Sequence, residues 1–266
     1  MTPTSTALRL TGRDALPLLH RTTSQVLADL APGGARATLF CDFRGRLLHR
    51  AVVAVASDGA VWLLRADAPG PELAAAVDRM VFRDDVTIED RSAELPFVFA
   101  PAPADAVGVL EERDGAPLVV AVGDGTLLAR DGRPALTETE RIARLLPQHG
   151  LEIREAFHPY EVGLGPDVHL AKGCFTGQEA LQRLITYASV RRRLARVAVA
   201  AAVPTLPVEV RQGEERVGVL TSVAGGEGLA VLAHAAAAPG TRLVTDEGAP
   251  IEVIEAPEPA RPIGRD

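Results

Sequence analysis

The apolar and polar positions change period several times along the chain. Residues 13–31 (RDALPLLHRTTSQVLADLA) predict one or two short helices, broken near Pro17 and around 22–24. The next two apolar runs, ARATLFCD and RLLHRAVVAVA, meet at Phe43-Arg44-Gly45 and predict a hairpin, with VWLLRA (61–66) a further strand. Residues 71–82 return to helical spacing behind a proline at the first position, and VTIED (86–90) to strand spacing. Short strand candidates surround 97–99, 107–110, 118–122 and 126–129. TETERIARLL (137–146) predicts a helix stopped by Pro147, with Thr137 as N-cap and Glu140 completing a capping box. From about 191 onward, valine-rich segments alternate with Gly/Pro turns, which predicts an all-β terminal domain, a small barrel. The fold class expected is therefore α+β followed by a β module, with no repeat of solenoid period.

Composition narrows this picture. A chain of 266 residues makes one large domain or two to three small ones, and 47% hydrophobic against 24% charged residues is enough for a packed core. No apolar run reaches the roughly 20 residues of a membrane span, and the start, MTPTSTALRL, lacks the basic and apolar regions of a secretory signal. Two cysteines, Cys41 and Cys174, supply neither a disulfide framework nor four thiolates for a cluster. The expectation is a soluble protein of a reducing compartment, the cytoplasm. Cys41, in an apolar strand-like context, reads as a core residue.

A net charge of −7 argues against a chain-wide nucleic-acid footprint. Between 180 and 198, however, stand Arg183, Arg191, Arg192, Arg193 and Arg196 with no acid among them. Such a patch suits an anionic ligand, or a strand edge guarded by charge. Of 28 basic residues only Lys172 is lysine, and asparagine is absent. Such a pattern suggests coding drift, and the one retained lysine is either a chance survivor of it or a position that needs a compact ammonium rather than a planar fork.

Several kinds of chemistry lack their signatures. There is no G-x-G-x-x-G, no P-loop and no G-x-S-x-G elbow, and the six histidines show no metal-ligand spacing. The acidic pairs Asp84–Asp85 and Glu111–Glu112 sit in turn-like contexts that suit solvated charge. One segment stands out: Lys172-Gly173-Cys174-Phe175-Thr176-Gly177-Gln178-Glu179-Ala180-Leu181-Gln182-Arg183. Thr176 and Glu179 have capping-box spacing, and Leu181, Leu184 and Ile185 follow helically. Cys174 is then expected just ahead of a helix N-terminus and two residues from Lys172, both of which favour a thiolate. Gly173 and Gly177 allow close approach of a ligand, and Arg183 is placed to pair with Glu179 at i,i+4. A buried, inert cysteine beside a purely structural cap is the bland alternative.

The run K-G-C-F-T-G-Q-E-x-x-x-R resembles the signature of the YgfZ-type folate-binding proteins, relatives of the glycine-cleavage T-protein, which usually have Tyr in place of Phe175. The resemblance extends, in order, to Gly12-Arg13-Asp14-Ala15 with Leu19 and Thr23, and to Gly45-Arg46-Leu47-Leu48. It continues through Arg141-Ile142, Pro147, Pro159-x-Glu161-x-Gly163-Leu164, Arg192–Leu194 and Val217-Gly218-x-Leu220-Thr221-Ser222. It implies a three-domain ring with a central channel for tetrahydrofolate or a derivative: two mixed α+β, ferredoxin-like domains and a C-terminal antiparallel barrel. The boundaries implied are 1–42 with 112–190 for the domain that carries the motif, 43–111 for the second, and 191–266 for the barrel.

The resemblance further implies an accessory role in assembling or repairing iron–sulfur proteins, acting through Cys174 with Lys172 tuning it, and with indirect effects on tRNA modification. Gly173, Gly177, Gln178, Glu179, Arg183 and Arg192 would contact the folate, and no metal or cluster would be stably bound. The partners implied are folate and iron–sulfur proteins or their assembly factors, with no membrane, no direct nucleic-acid contact, and a monomeric chain. The alternative is a tetrahydrofolate-dependent aminomethyltransferase or demethylase of the T-protein kind. Against it, His49-Arg50 stands where those enzymes resemble one another in an Asp pair, so the carboxylate for acid/base work is missing. Leu145 stands where relatives often have glycine.

Overall fold

The structure, a computed structural model, describes residues 5–264. The chain divides into two compact units that share it discontinuously, the first made of the residues up to Cys41, Leu48–Leu136 and His169–Thr176. Its strands are β1 (Thr6–Thr11), β2 (Ala35–Cys41), β3 (Leu47–Val55), β4 (Val61–Arg65) and β5 (Thr87–Asp90), ordered β2-β3-β4-β1-β5 in one sheet. Antiparallel pairing of β1 with β4 sets Leu8 against Leu63 and Leu10 against Val61. Both faces of this sheet are apolar, because both are covered. Leu8, Leu10, Val53 and Leu63 pack with Leu18 and Leu19 of α1 (Ala15–Thr22) and with Leu73 and Val77 of α2 (Gly70–Asp78).

On the other face Ala7, Val52, Trp62 and Leu64 meet Phe97, Val120 and Leu128 from a second sheet. That sheet contains β6 (Val98–Pro101), β7 (Val109–Arg113), β8 (Ala116–Ala121) and β9 (Thr126–Ala129), ordered β6-β9-β8-β7. The first unit is thus three layers, helices on sheet on sheet. α1 tolerates Pro17 in its first turn and stops at Thr22, where the Thr22 and Thr23 hydroxyls donate to the Leu18 and Leu19 carbonyls. No second helix follows. Ser24 instead exchanges hydrogen bonds with the Leu39 backbone, which ties that stretch to β2. Cys41 is buried, as its setting predicts.

The expected cuts at 42/43 and 111/112 are corrected here, because they pass through hydrogen-bonded sheets. β1, from the first stretch, lies between β4 and β5 of the second, and β7 pairs with β8 across the other cut. Local periodicity identifies each strand but not a distant partner.

The second unit comprises Asp42–Leu47, Thr137–Val168 and Gly177–Asp266. Its main body is a closed antiparallel barrel of β10 (Arg192–Val199), β11 (Val208–Gln212), β12 (Glu215–Ala224), β13 (Glu227–Ala233), β14 (Arg242–Thr245) and β15 (Pro250–Glu255). The strand order β10-β13-β12-β11-β14-β15 closes on itself, leaving no open edge, around Val197, Val210, Leu220, Leu232 and Val253.

Helix α3 (Glu138–Ala143) starts on the predicted capping box: Thr137 Oγ1 accepts from Glu140 N, and Glu140 accepts from Thr137 N. It ends in a Schellman motif, with Leu145 N donating to Ile142 O and Leu146 N to Arg141 O. The left-handed residue of that motif is Leu145, at φ +54°, which is why glycine suits this position in relatives. Among the described residues no helix is long and apolar enough to cross a membrane.

Candidate functional site

The motif crosses from the first unit to the second between Thr176 and Gly177. In the first unit, Cys174 is exposed and follows Gly173, whose φ is +105° and whose missing side chain faces open space. Lys172 is half-buried. Its ammonium donates to the His20 carbonyl and lies 5.3 Å from the centroid of the buried Phe175 ring. Among the described residues no carboxylate pairs with it, and burial pushes its pKa down to about 8. His20 is held below the ordinary histidine range by burial and by the charge of Lys172, and its Nδ1 accepts from Leu27 N at 3.1 Å. A desolvated ammonium without a counter-charge, two residues from an exposed thiol, is an arrangement that asks for an anion.

In the second unit, helix α4 (Gln178–Thr186) begins one residue later than the sequence predicts. Gly177 is its N-cap, at φ +84°, and no side chain caps the first turn. The expected Thr176/Glu179 capping box is therefore corrected. The glycine takes the cap position because a Cβ there would sit 2.4 Å from the Asp42 carbonyl oxygen. Cys174 lies three residues before this cap in sequence. Glu179 pairs with Arg183 at 2.6 Å, as the i,i+4 spacing predicts, and both remain exposed. Gln178 occupies the first helical position, and Leu181 is the buried residue of the helix. Gly177→Ala is expected to cost about 2 kcal/mol or more, from the left-handed φ and the carbonyl clash, read as a lowered urea midpoint.

Gly177 rests on the β2–β3 turn. Asp42 shapes that turn by accepting from Arg44 N and Arg46 N at 2.8 Å. His158 Nδ1 lies 2.9 Å from the Gly45 carbonyl, and the His158 N–H donates to Glu161 at the start of a 3-10 turn, Pro159–Val162. Burial lowers the His158 pKa despite its bond to Gly45 and the charge of Glu161. Glu161 is buried and takes a two-point grip from Arg192, at 2.8 and 3.0 Å, while the guanidinium lies 5.3 Å from the Phe157 ring centroid. Arg192, expected against the ligand, thus has an internal partner that fixes the barrel's first strand to this turn.

The basic patch is likewise answered from within. Arg193 pairs with Glu258, and Arg196 with Glu227 and Glu255. Glu227 and Glu255 come from barrel strands and Glu258 from the C-terminal stretch, so these two arginines pair with acids that only the fold brings near.

A further buried cluster was not anticipated. Glu152 is fully buried and accepts from Arg141 (3.2 Å), Thr221 Oγ1 (2.5 Å), Ser222 Oγ (2.7 Å) and Gln148 N (3.0 Å). Arg141 also donates to Ser222 Oγ and the Leu146 carbonyl, both at 2.6 Å, and to Glu138. Arg141, Thr221 and Ser222 all belong to segments of the resemblance, and the cluster joins α3 to barrel strand β12. Only the uncharged context of Thr221-Ser222 hinted that these hydroxyls face a partner.

In the first unit, His49 is buried 3.3 Å from Arg65, and Arg50 pairs with Asp124 at 2.7 Å. Burial pushes the Asp124 carboxyl up, but the Arg50 charge and the Thr126 hydroxyl outweigh it and hold the pKa below the ordinary range. A carboxylate held ionised in this way is a weak base.

These features agree with comparison to known proteins. The profile of the CAF17 C-terminal beta-barrel domain matches residues 191–258, which hold all six barrel strands. A chloroplastic protein of Arabidopsis thaliana named as a transferase is 31% identical over 170 residues, covering 58% of this chain and 39% of its own length. The chain thus spans well under half of that relative. The crystal structure of glycine cleavage system aminomethyltransferase T from Bartonella henselae superposes with a TM-score of 0.71 at 17% identity, over 96% of this chain and 84% of that one. The fold is accordingly T-protein-like, mixed α+β with a closed six-stranded barrel. Residues 191–258 are thus similar to the C-terminal barrel of the CAF17 family, on a chain whose fold is that of the T-protein.

Proposed function

We propose that this protein binds tetrahydrofolate or a derivative and acts through Cys174 as an accessory factor in the assembly or repair of iron–sulfur proteins. On this reading tRNA modification is affected only indirectly, and the protein works as a monomer in a reducing compartment, the cytoplasm. The observation that carries it is Lys172. It is the sole lysine, half-buried, with no carboxylate partner among the described residues, and two residues from an exposed thiol. That charge fits a ligand with carboxylates, such as the glutamyl group of a folate, and Gly173 leaves its backbone open to close approach. The folate, when bound, supplies a carrier for one-carbon units. The residues of this chain hold its charge at Lys172 and keep the Cys174 sulfur accessible beside it.

Arg192, Gly177 and the Glu179–Arg183 pair support this reading as a frame: their contacts are with other residues of the chain, and they set the path of the motif. The transferase alternative lacks its carboxylate pair where His49 and Arg50 stand. The nearby Asp124 carboxylate is neutralised by Arg50 and held below the range useful for accepting a proton at neutral pH.

The thiol role is tested with Cys174→Ser in a strain lacking the protein, reading the activity of iron–sulfur enzymes. Activity is expected to stay at the level of the strain with no copy, while the variant accumulates and folds as wild type. Full restoration by the serine variant would remove the thiol from the mechanism.

A further inference from the structure

A second polar cavity lies at the mouth of the two-sheet sandwich in the first unit, with a volume of about 400 Å3, within the usual range for small-ligand pockets. Trp62 lines it from β4 and the β7–β8 hairpin closes one side. Four of its lining residues are arginines, and their partners differ. Arg9 is neutralised by Asp58 and Glu89, at 3.5 and 3.7 Å, and Arg91 by Glu94. Arg130 donates to three carbonyls of the hairpin, Pro117, Arg113 and Ala116, and to no carboxylate. Arg113, exposed at the end of β7, has no ion pair among the described residues; of the two acids beside it in sequence, Glu112 accepts from Ser57 and Asp114 lines the cavity.

Burial and the neighbouring Arg113 charge lower the Arg130 pKa, and the Asp114 carboxylate, which also lines the cavity, offsets part of that. Beside them Trp62 is 1% exposed, yet its indole N–H finds no acceptor. A buried donor without a partner is costly, and natural folds rarely leave one unmet. The cavity thus brings together an arginine with no ion pair among the described residues, a second whose bonds go to carbonyls beside Asp114, and one buried indole N–H that can only donate.

We propose that this cavity binds a small organic oxyanion, gripped by Arg113 and Arg130, with the Trp62 N–H as third donor. The planar forks suit carboxylate and phosphate oxygens alike, so the class is fixed by the shared oxyanion chemistry.

Trp62 is the only tryptophan in the chain, so its emission reports this cavity alone. The folded protein is titrated with pyrophosphate in one arm and citrate in the other, each against sodium chloride at matched ionic strength. A saturable change in emission with either anion is expected, and the arm that responds identifies phosphate or carboxylate as the favoured group. Arg113→Ala, at an exposed hairpin end, should fold normally and weaken the apparent Kd about tenfold or more. An emission insensitive to both anions would overturn the proposal, and so would an unchanged Kd in R113A.

Discussion

Replacing Arg141 by leucine is expected to destabilise the fold by about 3–5 kcal/mol, the range measured when one partner of a buried ion pair is removed. Glu152 would stay fully buried without its guanidinium partner, keeping only the Thr221, Ser222 and Gln148 bonds. Ser222 Oγ and the Leu146 carbonyl would each lose a donor as well. Removing both charges together, as Arg141→Leu with Glu152→Leu, should recover part of that loss, because an apolar pair leaves no charge in the interior. Urea midpoints of the two single variants and the double variant check this. Single variants within about 1 kcal/mol of wild type would show that the cluster is not what joins α3 to the barrel.

The second large effect concerns Lys172 and has opposite signs for binding and for stability. Its pKa in the fold is about 8, below the ordinary 10.5, because burial penalises the ammonium. Between those two values the unfolded chain holds more protons than the folded one. Stability should therefore rise with pH from about 8 to about 10.5, and the penalty of the buried charge is felt in full below 8. Affinity for an anionic ligand should do the reverse, falling as pH rises through about 8 and the ammonium is lost. Lys172→Met removes both trends. It should also weaken binding about 10- to 100-fold at pH 7, the range for a charge-assisted hydrogen bond of about 1.5–3 kcal/mol.

Features set by neighbours in sequence could be read before the structure. The Thr137/Glu140 capping box, the Glu179–Arg183 pair, the β2–β3 hairpin and the valine-rich barrel strands all depend on residues a few positions apart. The misread features depend on distant ones. Gly177 displaces Thr176 as cap because the Asp42 carbonyl lies against it. The five-arginine run looked like an open anion site because Glu227, Glu255 and Glu258 come from other strands and the C-terminal stretch. Arg192 looked free because Glu161 stands on a separate turn. The domain cuts failed for the same reason, since no local pattern tells β1 that it lies between β4 and β5.

At the site itself, composition alone made Lys172 conspicuous, and the structure adds the physical reason: a half-buried position whose ammonium contacts a carbonyl and an aromatic ring. The thiol is exposed, and the helix that the sequence starts just after it begins one residue later, at Gln178. Glu152 escaped notice because a single glutamate in a turn-rich stretch carries no signal until Arg141, Thr221 and Ser222 converge on it.

The most direct test of the central claim is calorimetric titration of the reduced protein with tetrahydrofolate, wild type beside Lys172→Met, at pH 7 and pH 9. Saturable binding by the wild type is predicted, tighter at pH 7 than at pH 9, with the variant weaker at pH 7 and lacking the pH dependence that Lys172 supplies. No binding by the wild type at either pH, or equal affinity in the variant at pH 7, would contradict the assignment of an anionic folate to the ammonium of Lys172.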